Sequence, residues 1–184
     1  LGDVYKRQDT RLFYKLYFSV LDYVNALEQI IPNKKIDPNN YIEPDELVNL
    51  IEVFWKAKDR FIDDYVQKNP LNLTYRNLNI IKDFKYGMRK NFLLAVYEKN
   101  YTVLNDEGIN YMVKGLNENL DKFIPAEKTP MLIQTAIMPF NGMIIYDGFI
   151  STADMQLSQE LVSKAFEDYS YGQKIYSLLP KNMN

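Results

Sequence analysis

The sequence predicts an α+β fold, with N-terminal helices packed with a small antiparallel sheet and a C-terminal helix closing the chain. Three observations carry this prediction. Apolar residues recur at helical spacing over the first half of the 184 residues, short β-branched and aromatic runs separated by polar turns follow, and the chain ends in an amphipathic stretch. Helices gathered first and strands later argue for α+β rather than for alternating α/β.

Asp9 or Thr10 caps a first helix in which Leu12, Leu16, Val20, Val24, Leu27 and Ile31 form an apolar stripe that Pro32 ends. Pro44 opens a second helix, running to Lys68 before Asn69-Pro70, with Leu47, Leu50, Ile51, Phe54, Phe61, Ile62 and Tyr65 facing inward. Thr74 caps a third helix that reaches Lys90. Strands are then expected at Phe92 to Tyr97, Tyr101 to Leu104 and Ile109 to Val113, joined through Lys99-Asn100 and Glu107-Gly108.

The sharpest local signal is Asn141-Gly142 between Met131 to Phe140 and Met143 to Ile150, a two-residue type I′ hairpin. Phe140 and Met143 then form the hydrogen-bonded pair beside the turn. Pro139 faces Ile144 at a site where no N–H is needed, and its other flank must lack a strand. A last helix runs from Leu157 to Leu179. The expected organisation is one domain over 9–184, with a helical half 9–90, a β-rich half 91–150 and a C-terminal helix 156–179.

Apolar residues at 47% and charged residues at 25% mark a globular chain. The net charge of −2 offers no global attraction to nucleic acid or an anionic membrane. No apolar run approaches the ~20 residues of a bilayer span. There is no Cys and no His, which excludes disulfides, thiol nucleophiles, Ser-His-Asp triads and His-ligated metals within these residues. Absence of Cys is compatible with the cytoplasm, the expected location. No cofactor, metal or small-molecule ligand is predicted.

The first eight residues, Leu1 to Gln8, resemble the translation of a transposase sequencing adapter followed by its mosaic end. That resemblance implies a gene truncated during assembly of short metagenomic reads, with the natural N-terminus missing and an artificial segment that packs loosely.

Several patterns point to chemistry. Lys35 to Leu47 resembles the second half of a calcium loop, with Asp37 and Asn39 at ligand positions, but Lys35 stands where the first carboxylate is required. Glu52, Asp59 and Asp63 share a helix side, yet Lys56 and Arg60 are interleaved, as on a solvated face. Lys82, Lys85, Arg89 and Lys90 end the third helix just before a strand bearing Tyr97. Basic side chains beside aromatics suit single-stranded nucleic acid, and cations at a helix C-terminus are also favoured by the dipole alone. Asp147, preceded by Tyr146, sits in the apolar run Ile144 to Ile150 and is either at the exposed end of the sheet, hydrogen-bonded to backbone or a Tyr hydroxyl, or part of a site. Asn72-Leu73-Thr74 is a glycosylation triplet that also reads as a loop and helix cap.

Phe54-Trp55, Ile62 to Val66, Asn69-Pro70 and the hairpin Met138 to Gly148 resemble an uncharacterised bacterial family with a helical half, an Asn-Pro joint and a PF-x-G-x-I-x-YDG-like hairpin. The resemblance spans Leu47 to Leu179. It implies a bacterial cytoplasmic protein and brings no activity, cofactor or catalytic residue. Three functions are therefore weighed. The first is a non-catalytic interaction or regulatory domain presenting a Tyr-rich β surface to another protein. The second is a carboxylate-dependent, metal-assisted hydrolase using Asp147. The third is single-stranded nucleic-acid binding through Lys85, Arg89 and exposed tyrosines.

Overall fold

The computed structural model describes residues 2–152 and 157–181, with side-chain surroundings from Lys6 onward. The fold is α+β: helices come first, a sheet follows, and a helix packs near the C-terminus. The chain forms two compact units, Leu1–Lys85 and Tyr86–Asn184. No helix among the described residues is long and apolar enough to cross a membrane.

The first unit holds α1 (Gly2–Glu28), α2 (Pro44–Lys56), α3 (Lys58–Lys68) and α4 (Tyr75–Asp83). The predicted stripe of α1 is buried through Phe13, Leu16, Tyr17, Val20, Leu21 and Val24. Against it lie Leu50, Ile51 and Phe54 of α2 and Phe61, Ile62 and Tyr65 of α3, all buried. Rings meet edge to face, as Phe13 does with Phe84 at 5.8 Å and Tyr17 with Phe54 at 6.2 Å, the arrangement that ring quadrupoles favour. Buried hydroxyls are satisfied within the unit, Trp55 Nε1 donating to the Tyr17 hydroxyl at 3.1 Å.

Within the first unit, the helix boundaries differ from expectation in four places. Helix α1 starts at Gly2, and Thr10 is no cap: its hydroxyl donates to the Lys6 carbonyl one turn back, at 2.8 Å. Lys6, Arg7 and Gln8 are exposed, while the side chains of 1–5, on which the expected loose packing also depends, lie outside the described residues. Helix α1 ends at Glu28 rather than Ile31 because Gln29 takes a left-handed φ of 53°. The buried Asn25 then holds the reversed chain, accepting from Ile31 N–H at 2.7 Å and donating to Ile31 O at 2.9 Å.

The expected second helix is two helices broken at Ala57 (φ −136°, ψ 35°), where no proline or glycine announces the break. The third helix begins at the Thr74 cap, which accepts from Asn77 N–H at 3.3 Å, but stops at Asp83. A 3₁₀ turn (Phe84–Tyr86) and Gly87 then lead directly into a strand.

Among the described residues of the second unit, seven strands form one sheet: β1 (Met88–Glu98), β2 (Tyr101–Asp106), β3 (Ile109–Lys114), β4 (Met131–Phe140), β5 (Met143–Tyr146), β6 (Ser151–Thr152) and β7 (Gln173–Ile175). Five of them close a ring in the order β1-β2-β3-β5-β4 and back to β1. Strand β1 serves two neighbours, pairing β4 over Met88 to Leu94 and β2 over Leu93 to Glu98. It manages this through a bulge at Ala95, where the register shifts and the strand bends.

The sheet is mixed rather than antiparallel. Pairs β3–β5 and β3–β7 are parallel, because β5 and β7 reach β3 only after long connections. Phe92, Leu94, Leu104, Tyr111, Val113, Ile133, Ile137, Ile144 and Tyr146 fill the ring, joined by Leu120 and Ile124 from the 115–130 connection. Each such side chain stabilises the unit by about 1.5–3 kcal/mol relative to leaving it exposed.

The β4–β5 hairpin follows the predicted register, with Phe140 opposite Met143 and Pro139 opposite Ile144. Asn141 and Gly142 have φ of 49° and 73°, the two positive values a type I′ turn requires. Strand β1 pairs β4 only as far as Ile137, so Pro139 owes no N–H to it. Gly142→Val should lower stability by at least about 1 kcal/mol through strain at positive φ, since open space around the site rules out a steric cause. Urea unfolding reads this, and a neutral result would contradict the turn type.

Helix α5 (Gln159–Tyr171) is capped by the Ser158 hydroxyl, which accepts from Leu161 N–H at 3.3 Å. It ends eight residues before the expected Leu179. Gly172 is extended (φ −69°, ψ 143°), and the chain continues into β7.

Candidate functional site

The predicted site residues are dispersed. Lys85 belongs to the first unit and pairs with Asp63 at 2.6 Å. Arg89 and Lys90 are on strand β1, not at a helix end, so alternation sends them to opposite faces of the sheet. Lys90 pairs with Asp106 at 2.7 Å. Arg89 donates from Nη1 to the Phe149 carbonyl at 3.3 Å and from Nη2 to Gln134 Oε1 at 3.5 Å.

Tyr97 is half-buried, and its hydroxyl donates to the Ile124 carbonyl at 2.7 Å. Tyr146 is buried and donates to the Glu118 carbonyl at 2.6 Å. Burial first, then nearby carboxylates, pushes both phenols up to about 12. The basic groups are thus paired within the protein, and both ring systems belong to the barrel interior. The β surface is accordingly not the exposed tyrosine display expected from the sequence.

Asp147 is completely buried. Strand β5 stops at Tyr146, and Asp147 opens the turn Asp147-Gly148-Phe149 while its N–H continues the ladder to Ala136 O at 3.1 Å. Its Oδ1 accepts from Phe149 N–H at 3.0 Å and lies 3.5 Å from the Thr135 hydroxyl. Gly148, at φ 91°, makes the turn possible. Arg89 faces Ala136 across β1–β4, and Asp147 bonds Ala136 from the other side, so the two charges occupy one row of the sheet. Among the described residues, no three carboxylates or other ligating side chains gather where they would hold a metal. Asp59 and Asp63 on α3 are separated from Glu52 on α2 by the break at Ala57. In the Lys35 to Leu47 loop, the Asp37 carboxylate accepts from Asn39 N–H at 2.8 Å, an ordinary local turn.

A second location emerges only in three dimensions. The outer faces of β1, β2 and β3 carry Ala95, Val103 and Met112, an apolar patch that Tyr169 of α5 covers. Next to it Asn105 and Asn110, both buried, stand opposite each other on β2 and β3. Asn105 Nδ2 donates to Asn110 Oδ1 at 2.7 Å, and Asn110 Nδ2 donates onward to the carbonyls of Tyr169 at 2.9 Å and Gly172 at 3.2 Å. These are the C-terminal carbonyls that a helix end leaves without intrahelical partners.

Glu98 completes the attachment, accepting from the Tyr169 hydroxyl at 2.5 Å and from Lys174 at 2.7 Å. Lys174 first, then Tyr169, hold the Glu98 carboxyl below its ordinary range. A carboxyl depressed in the folded state contributes stability above its unfolded value, and that contribution disappears as pH falls through the folded value. Protection of the Gln173 to Ile175 amides against hydrogen exchange should therefore fall on acidification below about pH 4.3, the ordinary glutamate value. Glu98→Gln should remove that pH dependence; an unchanged acid transition would assign it elsewhere.

Helix α5 thus occupies the outer face of β1, β2 and β3. What is presented outward is α5 and the segment after it: Leu161 (50% exposed), Phe166 (51%), Tyr171 (87%) and Tyr176 (50%). Tyr176 meets Tyr101 edge to face at 5.3 Å, and Lys114 lies over Tyr101 at 5.0 Å. Gly172 after an amphipathic run was a readable stop signal, whereas nothing in the sequence pairs Asn105 with Asn110 or brings them to α5. Comparisons with protein families, curated proteins and solved structures find no match.

Proposed function

We propose that the second unit is a non-catalytic protein-interaction module whose barrel supports α5 and β7 as the contact surface. The observation that carries this reading is the placement of large exposed apolar side chains. Of six in the described part of this unit, four fall between Leu161 and Tyr176. Aromatics of this kind anchor protein interfaces, and isolated exposure of one such residue would need no explanation. Helix α5 itself buries only Ala165, so its apolar residues are directed mainly to solvent.

Two comparisons weigh against the alternatives. A nucleic-acid surface needs unpaired cations beside stacking aromatics, whereas Lys85 and Lys90 are paired with carboxylates and Tyr97 and Tyr146 serve the interior. A hydrolase needs carboxylates that converge, and Asp147 is taken up by its own turn. The test is affinity isolation of the full chain from its native cells beside the Phe166→Ser/Tyr171→Ser variant. Hot-spot aromatics cost at least about 2 kcal/mol when truncated, so the variant should lose a specific partner while keeping its melting temperature. Equal recovery by both proteins would refute the proposal.

A further inference from the structure

Independently of the second unit, the first carries a cleft of about 820 Å³ along the outer side of α1. That volume is in the range of small-molecule sites, ~300–1,000 Å³. Tyr14 and Phe18 line it, and Leu71, from the turn between α3 and α4, lines it with them. Arg11 and Lys15, one helical turn apart on α1, and Lys35, from the loop before α2, supply three exposed cations.

The charges in the cleft are not balanced by one another. Two carboxylates also line the cleft, Asp22 accepting from Ile36 N–H at 2.7 Å and Asp37 from Asn39 N–H at 2.8 Å, so three cations outnumber them and the lining is net positive. Arg11, Lys15 and Lys35 enter none of the ion pairs found among the described residues, unlike Lys34, Arg60, Lys68 and Lys85 of the same unit. An apolar wall beside a net positive lining with unpaired cations complements one kind of occupant. We infer that the α1 cleft binds a small amphipathic anion, with an aromatic or aliphatic body against Tyr14, Phe18 and Leu71 and its acidic group at Arg11, Lys15 and Lys35.

Two probes with one body separate the contributions. 1-Anilinonaphthalene-8-sulfonate carries the anion, and N-phenyl-1-naphthylamine is the same ring system without it. Titrated into the full chain, the sulfonate should bind one per chain and about tenfold or more tighter than the neutral probe, the gain of one charge-assisted contact. Arg11→Glu/Lys15→Glu should abolish that difference and leave the neutral probe and the melting temperature unaltered. Leu71→Asp, at an exposed position, should weaken both probes. Equal affinities for the two probes, sulfonate binding unaffected by charge reversal, or many sites per chain would each overturn the inference, as would no binding of either.

Discussion

Asp147→Ala should destabilise the second unit by about 1–3 kcal/mol, the cost of leaving a buried donor without its acceptor. The donors are the Phe149 N–H, at 3.0 Å from the Asp147 carboxylate, and the buried Thr135 hydroxyl, at 3.5 Å. Asp147→Asn keeps an acceptor oxygen at the same place and should cost less. The single Trp, Trp55, reports on the first unit, so the measurement must follow the second unit directly, by amide spectra in urea. Two variants as stable as the parent would show that the carboxylate is not structural. They would return this turn to consideration as a site of chemistry, since active-site groups commonly trade stability for function.

Gly172→Ala should cost a similar amount for a different reason. Its φ of −69° suits any residue, so backbone conformation is no obstacle. Space is the obstacle: a Cβ would lie 2.5 Å from Asp168 O, 2.6 Å from Gly108 O and 2.7 Å from Asn110 Nδ2. Two of these are backbone atoms, and the third is the amide that ties α5 to β3. Overpacking of this kind costs about 1–3 kcal/mol, which exceeds the ~0.4–1 kcal/mol gained from a stiffer unfolded chain. The loss should be accompanied by faster hydrogen exchange at β7. A neutral or stabilised variant would mean that the α5–β7 joint is looser than its packing implies.

What was legible in the sequence was what short-range chemistry dictates. Pro44 at a helix start, the Thr74 cap and the Asn141-Gly142 turn act over a few residues, and each appears where its chemistry places it. The register of Pro139 followed from that turn alone. Periodicity carries no information about which strand lies alongside, so the parallel partners of β3 and the closure of β1 on β4 were not visible. Arg89 and Lys90 read equally well as a basic helix end, and only pairing with β4 makes them strand residues. Asp147 was recognisable as a carboxylate needing donors, whereas its complete burial was not legible. The tyrosines were not assignable, because an aromatic in a strand reads alike whether it fills the barrel, as Tyr146 does, or lies near its surface, as Tyr101 does.

The most direct test of the interaction surface is site-specific photo-crosslinking in the native cell. A benzophenone side chain replaces Phe166 or Tyr171 in the second unit, or Tyr75, whose exposure lies between theirs, in the first. The account predicts a discrete adduct with another protein from positions 166 and 171, lost when Leu161 is also changed to Asp, and none from position 75. Adducts from all three positions alike, or from position 75 alone, would contradict it.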